Sequence, residues 1–310
     1  MHIVVFGAGG VGGYFGGRLA QAGENVTFIA RGQHLQAMLT EGLKVDSIKG
    51  DFIIQKVAAT DDPTIVKDVD AVLVCVKTWQ LFQAAKAMMS MIGPQSFVIP
   101  LENGVQAPAQ LSESLGSERV LGGLCRIASH IIAPGQIQHN GIEPYVAFGE
   151  LNNRISSRSQ NLLKCFESAG VRAEIPTDIN VAMWKKFLFI SAVSGIGAVT
   201  RAPIGLCRSL HGTRQMLEAA LHECYLVALA EGIHLQLESV TETLAYIDSL
   251  PPGTIPSMQR DFMDGRPSEL EAQNGAIVTM GHIHNIPTPV HAFIYQSLLP
   301  QESLARGQVV

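Results

Sequence analysis

The sequence is poor in charge and has no basic block. Asp, Glu, Lys and Arg together make up 16% of its 310 residues, against roughly 25% in an average soluble protein. The 22 basic and 27 acidic residues give a formal net charge of −5. Binding to nucleic acid or to an anionic membrane needs concentrated positive charge, so we expect neither partner. Hydrophobic residues make up 47%, which excludes a wholly disordered chain.

Cysteines are few and scattered, and none belongs to a C-x-x-C pair. They are Cys75, Cys125, Cys165, Cys207 and Cys224. An odd number without paired spacing argues against a disulfide framework and against a zinc site, and is typical of reduced thiols. We therefore expect a cytoplasmic protein that binds no metal.

Long apolar runs of the kind that cross membranes are not expected either. The N-terminus has no charged region and is rich in glycine, unlike a signal peptide. The apolar stretch 87–101 is interrupted by Gly93 and Pro94. The stretch 272–301 lacks Asp, Glu, Lys and Arg, but it contains three histidines and three prolines, which hydrocarbon would reject.

Short β-branched runs alternate with helical patterns over the first part of the chain. Strands are predicted at 2–6, 25–30, 43–47, 51–54, 57–60, 71–76 and 96–101. Helices are predicted between them at 10–22, 32–41 and 79–91. This alternation predicts a parallel sheet with helices on both faces.

The pattern changes after about residue 120. Strands with turns are predicted over 119–150, followed by a helix at 156–168 and a strand at 171–175. From Asp178 onward only helices are predicted: 179–199, 211–231, 237–248, 257–263, 268–284 and 288–299. The predicted fold class is α/β, with an N-terminal Rossmann-type domain over 1–176 followed by an all-α domain over 177–310.

A glycine cluster directly follows the first strand. The cofactor-binding candidates in it are Gly7, Gly9, Gly10 and Gly12. The spacing G-x-G-x-x-G between a strand and a helix is the dinucleotide fingerprint. Its glycines allow a tight turn, close approach of a pyrophosphate and tight packing of helix on strand, with the anion at the helix N-terminus. The alternative is a packing turn without a ligand.

Residues at three strand ends indicate which cofactor binds. The second strand is followed by Arg31, where NAD-binding proteins carry an acid, so a cation here favours the 2′-phosphate of NADP(H). Lys77 follows the strand 71–76 and is either a cofactor contact or an ordinary strand-end lysine. Asn103 follows the next strand and can hold a ribose or a substrate, or serve only in a turn.

Two adjacent lysines interrupt an otherwise apolar helix. Lys185 and Lys186 are the only charges from Val181 to Thr200, and they point about 100° apart on a helix. Because helices that are apolar on all sides are usually buried, we expect one lysine to face a cleft. Burial there would lower its pKa from about 10.4. A lysine that reaches solvent along its stem is the alternative.

Four further residues, three polar and one apolar, join the candidates. Ile190 and Ser194 follow Lys186 at helical spacing and share its stripe. Glu269 follows Pro267 and Ser268, and first-turn acids are common for reasons of helix dipole alone. Ser257 begins a short helical run and could equally be an N-cap.

These motifs together resemble the ketopantoate reductases (2-dehydropantoate 2-reductases), over nearly the whole chain. The resemblance depends on GAGGVGG from Gly7, VKTWQ around Lys77, ENG around Asn103, MWKKF around Lys186, and SMQRD…SELEAQNG with Ser257 and Glu269. It implies NADPH-dependent reduction of 2-dehydropantoate to pantoate in pantothenate biosynthesis. It also implies that the substrate lies between a Rossmann domain and a helical domain.

The resemblance further implies a role for each residue. Arg31 and Lys77 would hold the 2′-phosphate end of NADPH, and Asn103 the nicotinamide side or the substrate. Lys186 would be the general acid, Glu269 would hold the substrate and orient that lysine, and Ser257 would bind the substrate carboxylate. A homodimer is compatible with the apolar helical half.

The chain departs from the family pattern at two positions. The family carries asparagines one and two turns after the lysine, where this chain has Ile190 and Ser194. The alternatives are therefore a related reductase for another 2-keto acid, a non-catalytic NADP(H)-binding sensor, and a β-hydroxyacid or polyol-phosphate dehydrogenase.

Overall fold

A computed structural model describes residues 1–308, which form two compact units. Unit 1 comprises Met1–Glu102 and Ala107–Ile179, and unit 2 comprises Asn103–Gln106 together with the chain from Asn180 onward. The main part of unit 2 thus begins at Asn180, and the predicted boundary is residue 176. The short segment Asn103–Gln106 belongs with the second unit, although it lies within the predicted first domain.

The strands of the described chain all lie in unit 1. They are β1 (His2–Phe6), β2 (Asn25–Ile29), β3 (Leu43–Ser47), β4 (Phe52–Ile54), β5 (Ala58–Thr60), β6 (Ala71–Val74), β7 (Phe97–Pro100), β8 (Leu121–Arg126), β9 (Ser129–Ala133), β10 (Gln136–His139), β11 (Tyr145–Glu150) and β12 (Arg172–Glu174). The central sheet has the order β5-β2-β1-β6-β7, and its strands are parallel. Two smaller sheets have the orders β4-β3-β10-β9 and β12-β11-β8.

Helices cover the central sheet and form unit 2. In unit 1 they are α1 (Gly10–Gln21), α2 (Gly32–Glu41), α3 (Leu81–Met88), α4 (Ala107–Leu115) and α5 (Ser157–Ser168). The others are α6 (Ile179–Thr200), α7 (Ile204–Ser209), α8 (His211–Ala230), α9 (Glu238–Ser249), α10 (Ser257–Met263), α11 (Ala276–Ile283) and α12 (Pro289–Ala305). A π-turn, Glu271–Gly275, directly precedes α11.

Both faces of the central sheet are buried. Along β1, Ile3 and Val5 belong to one apolar cluster, whereas Val4 and Phe6 belong to another. Side chains alternate between the faces of a strand, so the two clusters lie on opposite sides of the sheet. The predicted α/β fold, with a parallel sheet and a helical C-terminal region, is confirmed.

The helix α6 forms the core of unit 2. Residues 191–198 are buried without interruption, as a helix that is apolar on all sides requires. By length and composition it could span a membrane, but 67% of its most apolar window is buried inside the protein. Burial against neighbouring helices therefore accounts for its hydropathy.

Several element predictions were wrong in detail. The helices α4 and α7 were not predicted, and the predicted helix 268–284 contains the π-turn. The predicted helix 288–299 continues to Ala305 through Pro300. Proline inside a helix removes one backbone hydrogen bond. Here the turn after Pro300 is stabilised by an ion pair between Glu302 and Arg306, which are one turn apart.

Candidate active site

The glycine loop between β1 and α1 has a shape that only glycine permits at two positions. Gly7 has φ of +103°, and a Cβ there would approach the backbone of Cys75 to 2.9 Å. A Cβ on Gly12 would lie 2.1 Å from the carbonyl oxygen of Gly7. These two glycines therefore set the turn and the close packing of α1 on the sheet.

Gly9 and Gly10 play different parts in this loop. A Cβ on Gly9 would meet nothing within 4 Å, so the backbone here borders open space. A Cβ on Gly10 would lie 2.5 Å from the carbonyl oxygen of Ser129 in β9. The absence of a side chain at Gly10 is thus explained by packing of β9. At Gly9 the open space fits a ligand anion in front of the α1 N-terminus, where backbone N–H groups lack helical partners.

A cleft extends from the glycine loop to the ends of β2 and β6. Its lining residues are Phe6, Gly7, Ala8, Gly9, Ile29, Ala30, Arg31, His34, Val76, Gln80, Gln83, Ala84 and Ile131. Arg31 is exposed at the start of α2, and no carboxylate is among these lining residues. The pKa of His34 is lowered by burial, so His34 is neutral near pH 7. Arg31 is therefore the cation of this cleft.

Lys77 lies beside the cleft rather than among its lining residues. It follows β6 and is half-buried, with its Nζ 5.7 Å from the ring centre of Trp79. Its backbone N–H donates to Oε1 of Gln80 at 3.2 Å. Because Val76 and Gln80 both line the cleft, the Lys77 side chain starts at the cleft edge.

The structure brings together two of the predicted residues of unit 2. Nδ2 of Asn103 donates to Oε2 of Glu269 at 3.0 Å, across 166 positions of sequence. Glu269 is 5% exposed. Gly104 has φ of +115°, and a Cβ there would lie 3.1 Å from the carbonyl oxygen of Ala272. The Asn103-Gly104 turn therefore packs on the π-turn and aims the Asn103 amide at Glu269.

The two lysines of α6 have different surroundings. The Lys185 side chain is 44% exposed and forms an ion pair with Glu242 at 3.2 Å. Lys186 is half-buried and precedes the buried Phe187 and Leu188. Of the two, Lys186 is thus the lysine that is withdrawn from solvent.

The other predicted residues lie on α6 and α10. Ile190 is half-buried, whereas Ser194 is 0% exposed and its Oγ has no hydrogen-bond partner. Ser257 is the half-buried first residue of α10. Ser194 thus offers a buried hydroxyl, although no contact places it against Glu269.

Some residues of this constellation were missed from the sequence. His34, Gln83 and Ile131 line the cleft, but no motif singles them out, and Gln80 lines it as the last residue of the VKTWQ motif that was cited only for Lys77. The π-turn next to Glu269 was missed because its residues, EAQNG, continue a helical pattern. Such turns are frequent at functional sites, so its position beside the Asn103–Glu269 pair favours a functional site there.

Comparison with known proteins identifies a family for this chain. Residues 3–153 match the family described as "Ketopantoate reductase PanE/ApbA", and residues 178–302 match its C-terminal part. Uncharacterized oxidoreductase YkpB of Bacillus subtilis is 31% identical over 305 residues, which is 98% of this chain and 99% of that protein. A 2-dehydropantoate 2-reductase of Nostoc is 28% identical over 272 residues, covering 86% and 85%.

A solved structure is similar over the full length. The crystal structure of a PanE/ApbA family ketopantoate reductase from Ralstonia eutropha aligns with a TM-score of 0.90 and 31% identity, covering 99% of this chain and all of that one. Both halves of the chain match the family, and they carry the glycine loop and the Asn103–Glu269 pair. The chain therefore belongs to the ketopantoate reductase PanE/ApbA family of oxidoreductases.

Proposed function

We propose that the protein reduces a 2-keto acid to a 2-hydroxy acid with NADPH, and that 2-dehydropantoate is its substrate. The observation that carries this proposal is the hydrogen bond from Asn103 to the buried Glu269. It joins two residues from distant parts of the sequence that the family resemblance assigns to one site. The reaction belongs to pantothenate biosynthesis.

The glycine cleft supports binding of a nicotinamide dinucleotide. The open space in front of Gly9 and the N-terminus of α1 suits a pyrophosphate. Arg31 at the end of β2 suits the 2′-phosphate of NADP(H), and Lys77 adds a second cation near that edge. When reduced and bound, the nicotinamide supplies the hydride.

Lys186 is proposed as the general acid. Hydride addition to the keto carbon places negative charge on the carbonyl oxygen, and a nearby ammonium group stabilises that charge and donates the proton. Glu269 would hold the substrate and orient Lys186, with its own carboxylate fixed by Asn103. Ser257 would bind the substrate carboxylate at the start of α10.

Arg31→Asp is expected to change the cofactor preference. An acid at this position repels a 2′-phosphate and accepts a hydrogen bond from a 2′-hydroxyl, so the Kd ratio of NADPH to NADH should rise by about 10-fold or more. Fluorescence titration of both cofactors measures it. Because Arg31 is exposed, the thermal midpoint should not change. An unchanged ratio would remove the 2′-phosphate role.

Ile190 and Ser194 motivate the second candidate, a reductase for a less hydroxylated 2-keto acid. An isoleucine cannot hydrogen-bond a substrate hydroxyl, and sites built around such a bond discriminate strongly through it. A panel of 2-keto acids, with NADPH consumption as the readout, decides between them. The primary proposal expects the highest kcat/KM with 2-dehydropantoate, and the second candidate expects it with an acid that lacks the hydroxyl.

The variant Ile190→Asn tests the substrate preference directly. The half-buried Ile190 is replaced by an amide able to bind a hydroxyl, so kcat/KM for 2-dehydropantoate should rise relative to that for an unhydroxylated 2-keto acid. A good hydrogen bond at this position is worth about 1 kcal/mol, or roughly a fivefold change in kcat/KM.

Tight NADPH binding by the wild-type protein without turnover of any 2-keto acid would instead support the non-catalytic sensor.

The cellular compartment of the protein is also part of the proposal. The cysteines are free thiols in the structure, and burial raises the pKa of the Cys75 thiol well above its ordinary value. Cys75 is thus a packing residue rather than a nucleophile. Free thiols fit the cytoplasm, where we place the enzyme.

A further inference from the structure

The residue before Glu269 is held by the last helix of the chain. Ser268 is 0% exposed. Its backbone N–H donates to both carboxylate oxygens of Glu302 in α12, at 3.0 and 3.1 Å, and its Oγ donates to Oε2 at 2.5 Å. Ser268 Oγ also accepts the N–H of Leu270 at 3.2 Å. Ser268, two residues before the helical segment that begins at Leu270, is therefore tied to one buried carboxylate.

Arg306, the residue directly after α12, holds the other side of Ser268. Nη2 of Arg306 donates to the Ser268 carbonyl oxygen at 3.0 Å. Arg306 also pairs with Glu302, through Nε at 2.7 Å and Nη2 at 2.6 Å. The Ser268 carbonyl belongs to the peptide bond that links Ser268 to Glu269. The two peptide groups that flank Ser268 are therefore both fixed from the C-terminal end of α12 and the residue that follows it, immediately before Glu269.

We propose that Glu302 and Arg306 are positioning residues for Glu269, an inference that rests on the proposed function. The Glu269 carboxylate accepts a hydrogen bond from Asn103, and its backbone position is set by the contacts of Glu302 and Arg306 with Ser268. Charge-assisted hydrogen bonds in a buried site are strong and directional. Small displacements of a group that holds a substrate reduce the rate sharply.

A matched control lies at the other end of α12. The Glu223 side chain in α8 accepts the backbone N–H groups of Val290 and His291, at 2.8 and 3.0 Å. Glu223 is 7% exposed and Glu302 is 6% exposed. Each is thus a buried carboxylate that accepts backbone N–H hydrogen bonds: Glu223 from the first turn of α12, and Glu302, in the last turn of α12, from Ser268.

The test compares Glu302→Gln with Glu223→Gln. Both should lower the thermal midpoint, because each weakens a buried carboxylate contact. Glu302→Gln should lower kcat/KM for the 2-keto acid by about 10–100-fold while the Kd for NADPH stays at the wild-type value. Glu223→Gln should leave kcat/KM unchanged. Equal losses of kcat/KM in the two variants, or no loss in either, would overturn the proposal.

A second readout separates this proposal from the proposed function. Hydrogen exchange of the segment 268–275 should be faster in Glu302→Gln and unchanged in Glu223→Gln. If the wild type turns over no 2-keto acid, the proposed function fails, and exchange alone then decides whether Glu302 orders the segment. Unchanged exchange in Glu302→Gln overturns the positioning role. If Glu302→Gln does not fold, Arg306→Gln, which removes the contact with the Ser268 carbonyl, is measured in the same way.

Discussion

Lys186→Ala is expected to lower kcat by about 10²–10⁴-fold, the usual contribution of a positioned general acid. Lys186 is half-buried on α6, where an ammonium group is withdrawn from solvent and its charge acts more strongly on a developing oxyanion. Alanine removes both the stabilising charge and the proton. Steady-state kinetics with the preferred 2-keto acid measures kcat, and fluorescence titration should give an unchanged Kd for NADPH.

The neighbouring lysine provides the control for this variant. Lys185 has the same side chain on the same helix, but it is 44% exposed and pairs with Glu242 at 3.2 Å. Exposed ion pairs contribute about 0–1 kcal/mol to stability, so Lys185→Ala should leave kcat unchanged. If Lys186→Ala keeps kcat within about tenfold of wild type with cofactor binding intact, Lys186 is not the general acid.

The architecture of unit 1 could be predicted because each local signal agrees with the global fold. Short β-branched runs such as β1 and β6 are buried on both faces, and this gives continuous apolar runs that are easy to recognise. The helices α4 and α7, with 9 and 6 residues, were missed because each contains a residue that disfavours helix, Pro108 in α4 and Gly205 in α7. Helices of this length depend on tertiary packing more than on intrinsic propensity.

The contacts of the candidate site could be predicted only in part. Glycine spacing identifies the loop at Gly7, because backbone geometry dictates the residue type there. The bond between Asn103 and Glu269 spans 166 positions, and no local pattern encodes such a pair. From the sequence alone, Glu269 is equally well explained as a first-turn acid. Its burial and its amide partner become visible only once the chain is folded.

The contacts of Ser268 with the end of α12 are a second example of contacts that no local sequence pattern predicts. The sequence predicts a last helix over 288–299, which stops one residue before Pro300. The helix instead runs to Ala305, and Glu302 in its last turn and Arg306 directly after it bind each other and Ser268. A long-range polar network thus stabilises the helix end beyond Pro300, and the same network reaches the residue next to Glu269.

Gly12→Ala and Gly9→Ala are expected to separate the fold of the glycine loop from its function. A Cβ at Gly12 would lie 2.1 Å from the Gly7 carbonyl oxygen and 2.7 Å from Val5, so α1 must move away from the sheet. Overpacking of this kind costs about 1–3 kcal/mol or more. Gly12→Ala should therefore lower the thermal midpoint by several degrees and weaken NADPH binding, as measured by differential scanning calorimetry and fluorescence titration.

Gly9→Ala should weaken NADPH binding without destabilising the fold. Its Cβ meets nothing within 4 Å and its φ is −71°, which alanine adopts without strain. The added methyl group projects into the open space proposed for the pyrophosphate, so the Kd for NADPH should rise by about tenfold or more, equivalent to about 1.4 kcal/mol. Wild-type affinity in a normally folded Gly9→Ala protein would mean that the anion does not lie against Gly9. Because this variant leaves every internal contact in place, any loss of affinity reports directly on the ligand.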